Sequence, residues 1–98
     1  MEKAVALEML RQRTDAVKGM GATALYIFGS TARDEASVAS DLDVYIDYDP
    51  AGKFSLLDLV GIKQFLEEEL EIPVDLTTRN SLHPLLKTDI EHSAIRVF

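Results

Sequence analysis

The sequence has 98 residues, of which 47% are hydrophobic, and this predicts one domain over residues 1–98 with a single packed core. The formal net charge is -7 and the lysines and arginines are scattered along the chain, so no extended nucleic-acid surface is expected. Cysteine is absent, which excludes disulfides, zinc–thiolate sites and thiol catalysis; apolar runs of membrane-spanning length are absent too, so we expect a cytoplasmic protein with no membrane contact.

The first part of the chain predicts a helix, a buried strand and a second, short helix. Helical spacing of apolar residues extends over 2–18, and glycines follow it. The continuous apolar run 24–28 is typical of a strand buried on both faces. A Gly-Ser pair comes next, and a short helix is expected over 31–35, opened by a capping box of Thr31 and Asp34.

The rest of the chain predicts three more strands and two more helices. Strict alternation over 42–47 indicates a strand, and a long helix capped by Ser55 follows it. A strand is then expected over 72–78, a helix over 84–92 and a terminal strand over 95–98. This order predicts an α/β fold, in which a mixed sheet of about four strands has helices packed on it.

Three carboxylates suggest a metal site. Asp41 and Asp43 lie two apart on a predicted strand, so their side chains point the same way from Cα atoms roughly 6.5 to 7 Å apart. Their like charges repel unless a cation lies between them, and Mg²⁺ prefers one or two such carboxylates together with substrate phosphates and water. Asp75 completes the site if the register of its strand places it beside the pair. Two metal ions held there would contact the attacking and leaving oxygens of an in-line displacement.

A phosphate-binding element is predicted upstream of these carboxylates, at Gly29 and Ser30. Glycine lets a phosphate approach the backbone closely, and the amides at the start of a helix favour an anion. The Ser30 hydroxyl adds a donor, and Arg33, one turn on, can offer a cation to a triphosphate. The alternatives are a tight turn with a helix cap for the Gly-Ser pair, and pairing with an acidic surface neighbour for Arg33.

The spacing of these two elements resembles a known signature. Gly29-Ser30, ten further residues and then Asp41-Leu42-Asp43 are similar to the motif of the polymerase-β-type nucleotidyltransferase superfamily. The stretches Phe28–Asp34 and Ser40–Val44 resemble its minimal branch, whose members are often encoded with a HEPN-domain partner as a toxin–antitoxin pair. Val74-Asp75-Leu76 matches the third acidic strand of the superfamily, and the resemblance covers roughly residues 20 to 98.

The resemblance implies a role for each of these residues. Asp41 and Asp43 would bind two Mg²⁺ ions, Asp75 would bind the ion that activates the acceptor hydroxyl, and Gly29 and Ser30 would hold the triphosphate of ATP. As an antitoxin, the chain would transfer AMP to a tyrosine of a HEPN-type toxin. Larger members grip the base and the acceptor with added helical domains, so here those contacts are expected to be missing or to come from a partner.

Two other functions stay open from the residues themselves. A non-catalytic binding module could neutralise a basic toxin by contact alone, which the net charge of -7 would favour. The second is transfer of AMP to a small molecule, although such relatives carry a second domain for which 98 residues leave little room. The acceptor, the nucleotide preference and the oligomeric state, whether homodimer or hetero-oligomer, are not fixed by the sequence.

The remaining polar and aromatic side chains have simpler interpretations. Tyr26, Phe28 and Tyr45 are expected in the core rather than as platforms for base stacking, and His83 and His92 at the surface or an interface. Asp47 and Asp49 are interpreted as solubilising loop residues, although Asp47 shares the strand face of Asp43. The acidic run 67–69 is interpreted as a solvated helix face.

Overall fold

The computed structural model describes residues 1–35 and 41–98. Within these ranges the α/β architecture predicted from the sequence is confirmed, with helices packed on one mixed sheet. No helix in the described ranges is long and apolar enough to cross a membrane. The elements in chain order are α1 (Lys3–Arg11), α2 (Thr14–Gly19), β1 (Ala22–Phe28), α3 (Gly29–Ala32), β2 (Leu42–Tyr48), α4 (Leu56–Leu70), β3 (Val74–Thr78), a 3₁₀ turn (Arg79–Ser81), α5 (Lys87–Ser93) and β4 (Ile95–Arg96).

The sheet has the spatial order β3-β2-β1-β4. β2 and β3 are parallel and are joined through α4, because a parallel connection needs a crossover segment of this length. β1 is antiparallel to both β2 and β4. β3 is therefore an edge strand among the described residues, and β1 and β2 form the centre of the sheet.

The hydrophobic core lies on one face of the sheet. The alternation of β2 sends Leu42, Val44 and Ile46 to this face, where all three are buried. Helices α1, α2 and α4 cover them with apolar side chains at helical spacing. The helix residues fully or almost fully buried in this layer are Ala6, Leu10, Val17, Ile62, Leu66 and Leu70.

Helix α4 begins where the sequence predicted and also fixes the start of β3. Ser55 accepts a hydrogen bond from the Asp58 amide, and the Asp58 carboxylate accepts one from the Ser55 amide, so the predicted capping box is present. At the other end, Glu67 accepts hydrogen bonds from the Lys63 ammonium at 2.8 Å and from the Val74 amide at 3.0 Å. These two bonds hold the pKa of Glu67 below its ordinary value. Glu67 is thus a structural contact and not part of a merely solvated helix face.

The predicted first helix over 2–18 is wrong in one respect, since it is broken into α1 and α2. At the break the Arg13 guanidinium donates to the Met9 carbonyl at 2.7 Å, and the Arg13 amide bonds the Leu10 carbonyl instead. The side chain takes the acceptor that a continuous helix would offer to the Arg13 amide. The first helix therefore ends at Arg11, and a second begins at Thr14.

The predicted short helix and its cap also differ from the structure. α3 begins at Gly29, two residues before the predicted start, and its N-cap Phe28 has no side-chain oxygen. Thr31 is buried inside the helix and makes no capping bond. Asp34 has a left-handed backbone with φ of 59°, and its carboxylate accepts from the Lys3 amide. The Thr31–Asp34 capping box is therefore wrong.

The second face of the sheet carries an aromatic and ionic layer beneath α5. Tyr26 and Tyr45 are cross-strand partners whose rings stack at 4.8 Å, and the Arg79 guanidinium lies over both rings. Arg79 makes a bidentate ion pair with Asp47, at 2.8 and 2.9 Å, and a further one with Glu91 of α5. One arginine thus joins the end of β3, the middle of the sheet and α5.

Candidate active site

Asp43 and Asp75 are direct neighbours across the parallel pair β2–β3. They are Cα partners in the register, so both carboxylates leave the same face of adjacent strands. Asp41 lies immediately before β2, two residues from Asp43, and is exposed like Asp75. The register that the sequence analysis had to assume is thus the one that the structure has. Ser40, part of the second predicted motif, lies outside the described residues.

The line of cross-strand neighbours formed by Asp75 and Asp43 continues onto β1, and we call this line the carboxylate row. Phe28 is the Cα partner of Asp43 on the other side, and Gly29 follows it directly at the start of α3. The order across the sheet is therefore Asp75, Asp43 and then the Phe28–Gly29 corner. The carboxylates and the predicted phosphate element meet at one edge of the domain, at the amino ends of β2 and β3 and the carboxyl end of β1.

Asp43 has the perturbed electrostatics of a clustered acid. Partial burial raises the pKa of its carboxyl above the ordinary value, and the negative charges of Asp75 and then Asp41 raise it further. Arg33 acts in the opposite direction and lowers the pKa of the same carboxyl. Asp41, Asp75 and Arg33 are thus each within electrostatic reach of Asp43.

Gly29 is required at its position by both backbone and space. Its φ is +70°, a left-handed conformation that side chains disfavour. A Cβ at this position would also clash with the Asp43 carboxylate, whose Oδ2 is the nearest atom. Any side chain at this position would displace the Asp43 carboxylate. Because glycine has none, a phosphate can approach the backbone closely.

Ser30 and Arg33 flank this glycine on α3. Ser30 is half-buried, and Arg33 is exposed with its guanidinium 3.2 Å from Glu35. The acidic neighbour that the sequence analysis considered for Arg33 is therefore present, while Arg33 still acts on Asp43. Because α3 has only four residues, its dipole is small, and anion binding would rest on backbone amides, the Ser30 hydroxyl and Arg33.

The donor set suits a hard divalent cation shared with a substrate. No three histidine, aspartate or glutamate side chains in the described ranges already enclose a common point. Mg²⁺ does not require such a cage, because it keeps water and substrate phosphates beside one or two carboxylates. The mutual repulsion at Asp43 and the side-chain-free corner at Gly29 both fit an ion held between protein oxygens and a phosphate.

The cluster of Arg79, Asp47 and Glu91 was not predicted from the sequence. Asp47 was interpreted as a solubilising residue, and this is wrong, because it is ion-paired and only one-third exposed. Its place on the same strand face as Asp43 was the signal that could have found it. Tyr45 is 1% exposed, as predicted for a core residue, and burial raises the pKa of its hydroxyl, which keeps it neutral. His83 and His92 are exposed, as expected.

Known proteins that resemble the chain show its family. The model of the nucleotidyltransferase domain matches residues 8–97, almost the whole chain. The chain belongs to the nucleotidyltransferase domain family. It is 51% identical over 71 residues to "Putative protein adenylyltransferase MJ0435" of Methanocaldococcus jannaschii, covering 72% of this chain and 74% of that protein. The domain is thus a nucleotidyltransferase related to proteins named as protein adenylyltransferases.

Solved structures agree with the family assignment. One, described as a "putative minimal nucleotidyltransferase", has a TM-score of 0.74 and 35% identity and covers 97% of this chain and 95% of that chain. A second is the Shewanella oneidensis tri-AMPylated HEPN toxin in complex with MNT antitoxin, with a TM-score of 0.66 and 16% identity over 94% of this chain and 71% of that one. At that identity the second likeness shows the fold alone. The predicted recognition of the minimal nucleotidyltransferase branch is confirmed.

Proposed function

We propose that this nucleotidyltransferase uses Mg²⁺ to transfer AMP from ATP to a tyrosine hydroxyl of a HEPN-type partner toxin, and so acts as an antitoxin. The observation that carries the proposal is the row in which Asp43 lies between Asp75 and the Phe28–Gly29 corner. Carboxylates for metal and a close backbone approach for phosphate occur there side by side. Nucleotidyl transfer is mostly a matter of positioning and charge neutralisation, which such a row can supply.

Each residue of the candidate site has a separate role in this proposal. Gly29 and Ser30 would bind the triphosphate, with Arg33 supplying positive charge, and Asp41 and Asp43 would hold the Mg²⁺ ions. Bound Mg²⁺ neutralises the negative charge that accumulates in the transition state. Asp75 lies on the edge strand β3, where an acceptor from outside can reach it.

In the transfer step the acceptor oxygen attacks the α-phosphorus of ATP. A bond forms between that oxygen and the α-phosphorus while the bond from the α-phosphorus to the bridging oxygen breaks, and pyrophosphate leaves. The proton of the hydroxyl passes to water, and Asp75 would hold the Mg²⁺ ion that makes this hydroxyl more acidic. Tyr45 takes no part in this proton transfer, since it is buried with its hydroxyl kept neutral.

The protein acceptor is suggested by the relatives. The MNT antitoxin of Shewanella oneidensis is described in a complex with a tri-AMPylated HEPN toxin, and the M. jannaschii relative is named as a protein adenylyltransferase. The exposed edge at Asp75 and the net charge of -7 would accommodate a protein partner with a basic surface. Neutralisation by contact alone is the competing function, and it makes no use of the carboxylates.

The test follows the fate of two phosphates of ATP. The chain is incubated with Mg²⁺ and a HEPN-family protein encoded beside it, using ATP labelled at either the α- or the γ-phosphorus. We expect label on the partner from α-labelled ATP only, and a loss of at least about a hundredfold in Asp43→Asn. Asp49→Asn, an exposed loop aspartate with the same charge change, is the matched control and should retain transfer. Protection of cells by Asp43→Asn at the wild-type level, without label, would favour neutralisation by contact.

A further inference from the structure

A cleft opens directly beside the predicted phosphate element. Its volume is about 320 Å³ and it lies between the corner after β1 and helix α5. Phe28, Gly29 and Arg33 form one wall, and Leu86 and Ile90 belong to the other. Because Gly29 and Arg33 belong to both the cleft and the phosphate element, a ligand held at one would reach the other without a gap.

The cleft lies on the opposite side of the carboxylates from the acceptor edge. Across the sheet the order is Asp75 on the edge strand, then Asp43, then Phe28, each step being one strand spacing of about 4.8 Å. An acceptor hydroxyl beside Asp75 is therefore roughly 10 Å from the β1 side, where the cleft begins. In an in-line displacement the β- and γ-phosphates lie opposite the acceptor, toward Gly29 and Ser30, and the nucleoside leaves the α-phosphorus to the side of that axis. The cleft beside Gly29 is therefore within reach of the nucleoside.

The chemistry of the walls matches a nucleoside. Phe28 was expected in the core, but it is half-buried and lines the cleft, where it offers aromatic surface. Leu86 and Ile90 add apolar surface against which a flat base can pack. At the rim, the Asp89 carboxylate accepts hydrogen bonds. The Ser93 hydroxyl donates to the Asp89 carbonyl at 3.1 Å, so its oxygen still accepts. Ribose hydroxyls and exocyclic amines donate to such acceptors.

The α5 wall of the cleft is held in place from behind. Glu91 of α5 is ion-paired to Arg79, whose guanidinium is also paired to Asp47 and lies over the Tyr26 and Tyr45 rings. Glu91 is therefore turned toward the sheet, while its helix neighbours Ile90 and Ser93 line the cleft. This anchorage makes the cleft a preformed feature of the domain, as small-molecule sites usually are.

Other clefts do not reach the site. Three further ones, of about 290, 240 and 210 Å³, are lined by none of the six predicted site residues. They lie beside Phe54, beside Asp47 and beside Ser55 respectively. The cleft at Gly29 is the one among these four that is continuous with the carboxylate row.

We propose that this cleft binds the nucleoside of the triphosphate, with the base packed between Phe28 on one side and Leu86, just before α5, and Ile90 of α5 on the other. The proposal rests on the proposed function, since it assumes a triphosphate at Gly29 and Ser30. It replaces the expectation that base contacts are missing or come from a partner, because the chain would supply them itself from Phe28, Leu86 and α5. An aromatic side chain of the acceptor protein is the competing occupant.

The test separates nucleoside binding from triphosphate binding. Affinities for Mg·ATP and for Mg·tripolyphosphate are measured by calorimetry on the whole chain and on Ser93→Phe, which fills the cleft from an exposed position. We expect Ser93→Phe to weaken ATP binding about tenfold or more and to leave tripolyphosphate binding within about twofold. His92→Phe places the same side chain on the exposed neighbouring position outside the cleft wall and should change neither. Gly29→Ala should weaken both ligands.

Several results would overturn the proposal. ATP affinity unchanged in Ser93→Phe would exclude the nucleoside from the cleft, and unchanged affinity with lost transfer to the partner would assign the cleft to the acceptor. If Ser93→Phe weakens the binding of ATP and of tripolyphosphate equally, the cleft contacts the triphosphate and not the nucleoside. If the wild-type chain binds neither ligand, the proposed function itself fails. Should Ser93→Phe not fold, Leu86→Ala, which removes apolar wall from a half-exposed side chain, is expected to weaken ATP alone.

Discussion

At the scale of single residues, Asp43 has an electrostatic cost in the absence of a cation. Burial, Asp75 and Asp41 raise the pKa of its carboxyl above that in the unfolded chain, so the fold holds this proton more tightly. The free energy of unfolding contributed by Asp43 therefore falls as pH rises from the unfolded pKa through the folded one, and the loss persists at neutral pH. A metal ion would remove this penalty.

Replacing Asp43 by asparagine should remove this electrostatic cost. In buffer with a chelator at pH 7 the variant should unfold at the same or a higher temperature than wild type, and the difference should disappear in acid. Asp47→Asn is the matched control and should be less stable, because it breaks the pair with Arg79. Mg²⁺ at about a hundred times its Kd should stabilise wild type by about 2.7 kcal/mol and Asp43→Asn by far less. A metal-free Asp43→Asn as unstable as Asp47→Asn would contradict the account.

The site residues could be predicted because a strand alternates with period two. Asp41 and Asp43 share a face for that reason alone, and the Gly-Ser pair is visible as a break after an apolar run. The close contact between Gly29 and Asp43 was not predictable, because the two residues lie on different elements. Only the strand register shows that a Cβ at Gly29 would collide with the Asp43 carboxylate.

At the scale of elements, Arg79 connects three parts of the fold that are distant in sequence. It lies 32 residues from Asp47 and 12 from Glu91, and its carboxylate partners keep the pKa of its guanidinium above the ordinary value. Local periodicity contains no information about such pairs. The helix near α5 could therefore be predicted from the sequence, but the ion pair of Glu91 with Arg79 that anchors it could not. The same limit applies at Arg13, whose bond to the Met9 carbonyl breaks a helix that apolar spacing alone predicts to be continuous.

Replacing Arg79 by methionine tests this connection. The variant keeps an unbranched apolar stem but leaves Asp47 and Glu91 unpaired in a half-buried setting, so we expect it to lose roughly 1 to 3 kcal/mol of unfolding free energy. Lys63→Met removes a more exposed pair within α4 and should cost clearly less, because water screens this pair. Thermal and urea unfolding of both variants give the comparison. Equal losses would show that Arg79 is an ordinary surface arginine.

At the scale of the whole molecule, the domain divides into a covered and an open face. Three helices bury one side of the sheet, while the other carries the carboxylate row, the Arg79 cluster and α5. Large apolar side chains stay exposed at the start of α4, where Leu56 is 74% and Leu57 82% exposed, and just before α5, at Leu85. Pairing with a second protein stays a prediction, and these surfaces are where we expect it.

Calorimetric titration of ATP into the chain, with Mg²⁺ and with a chelator, tests most directly whether the carboxylate row and the Gly29 corner form a metal–nucleotide site. We predict that binding needs Mg²⁺ and that Asp43→Asn weakens it roughly tenfold or more, while Asp49→Asn binds like wild type. ATP binding of equal strength without the metal, or in Asp43→Asn, would contradict the account.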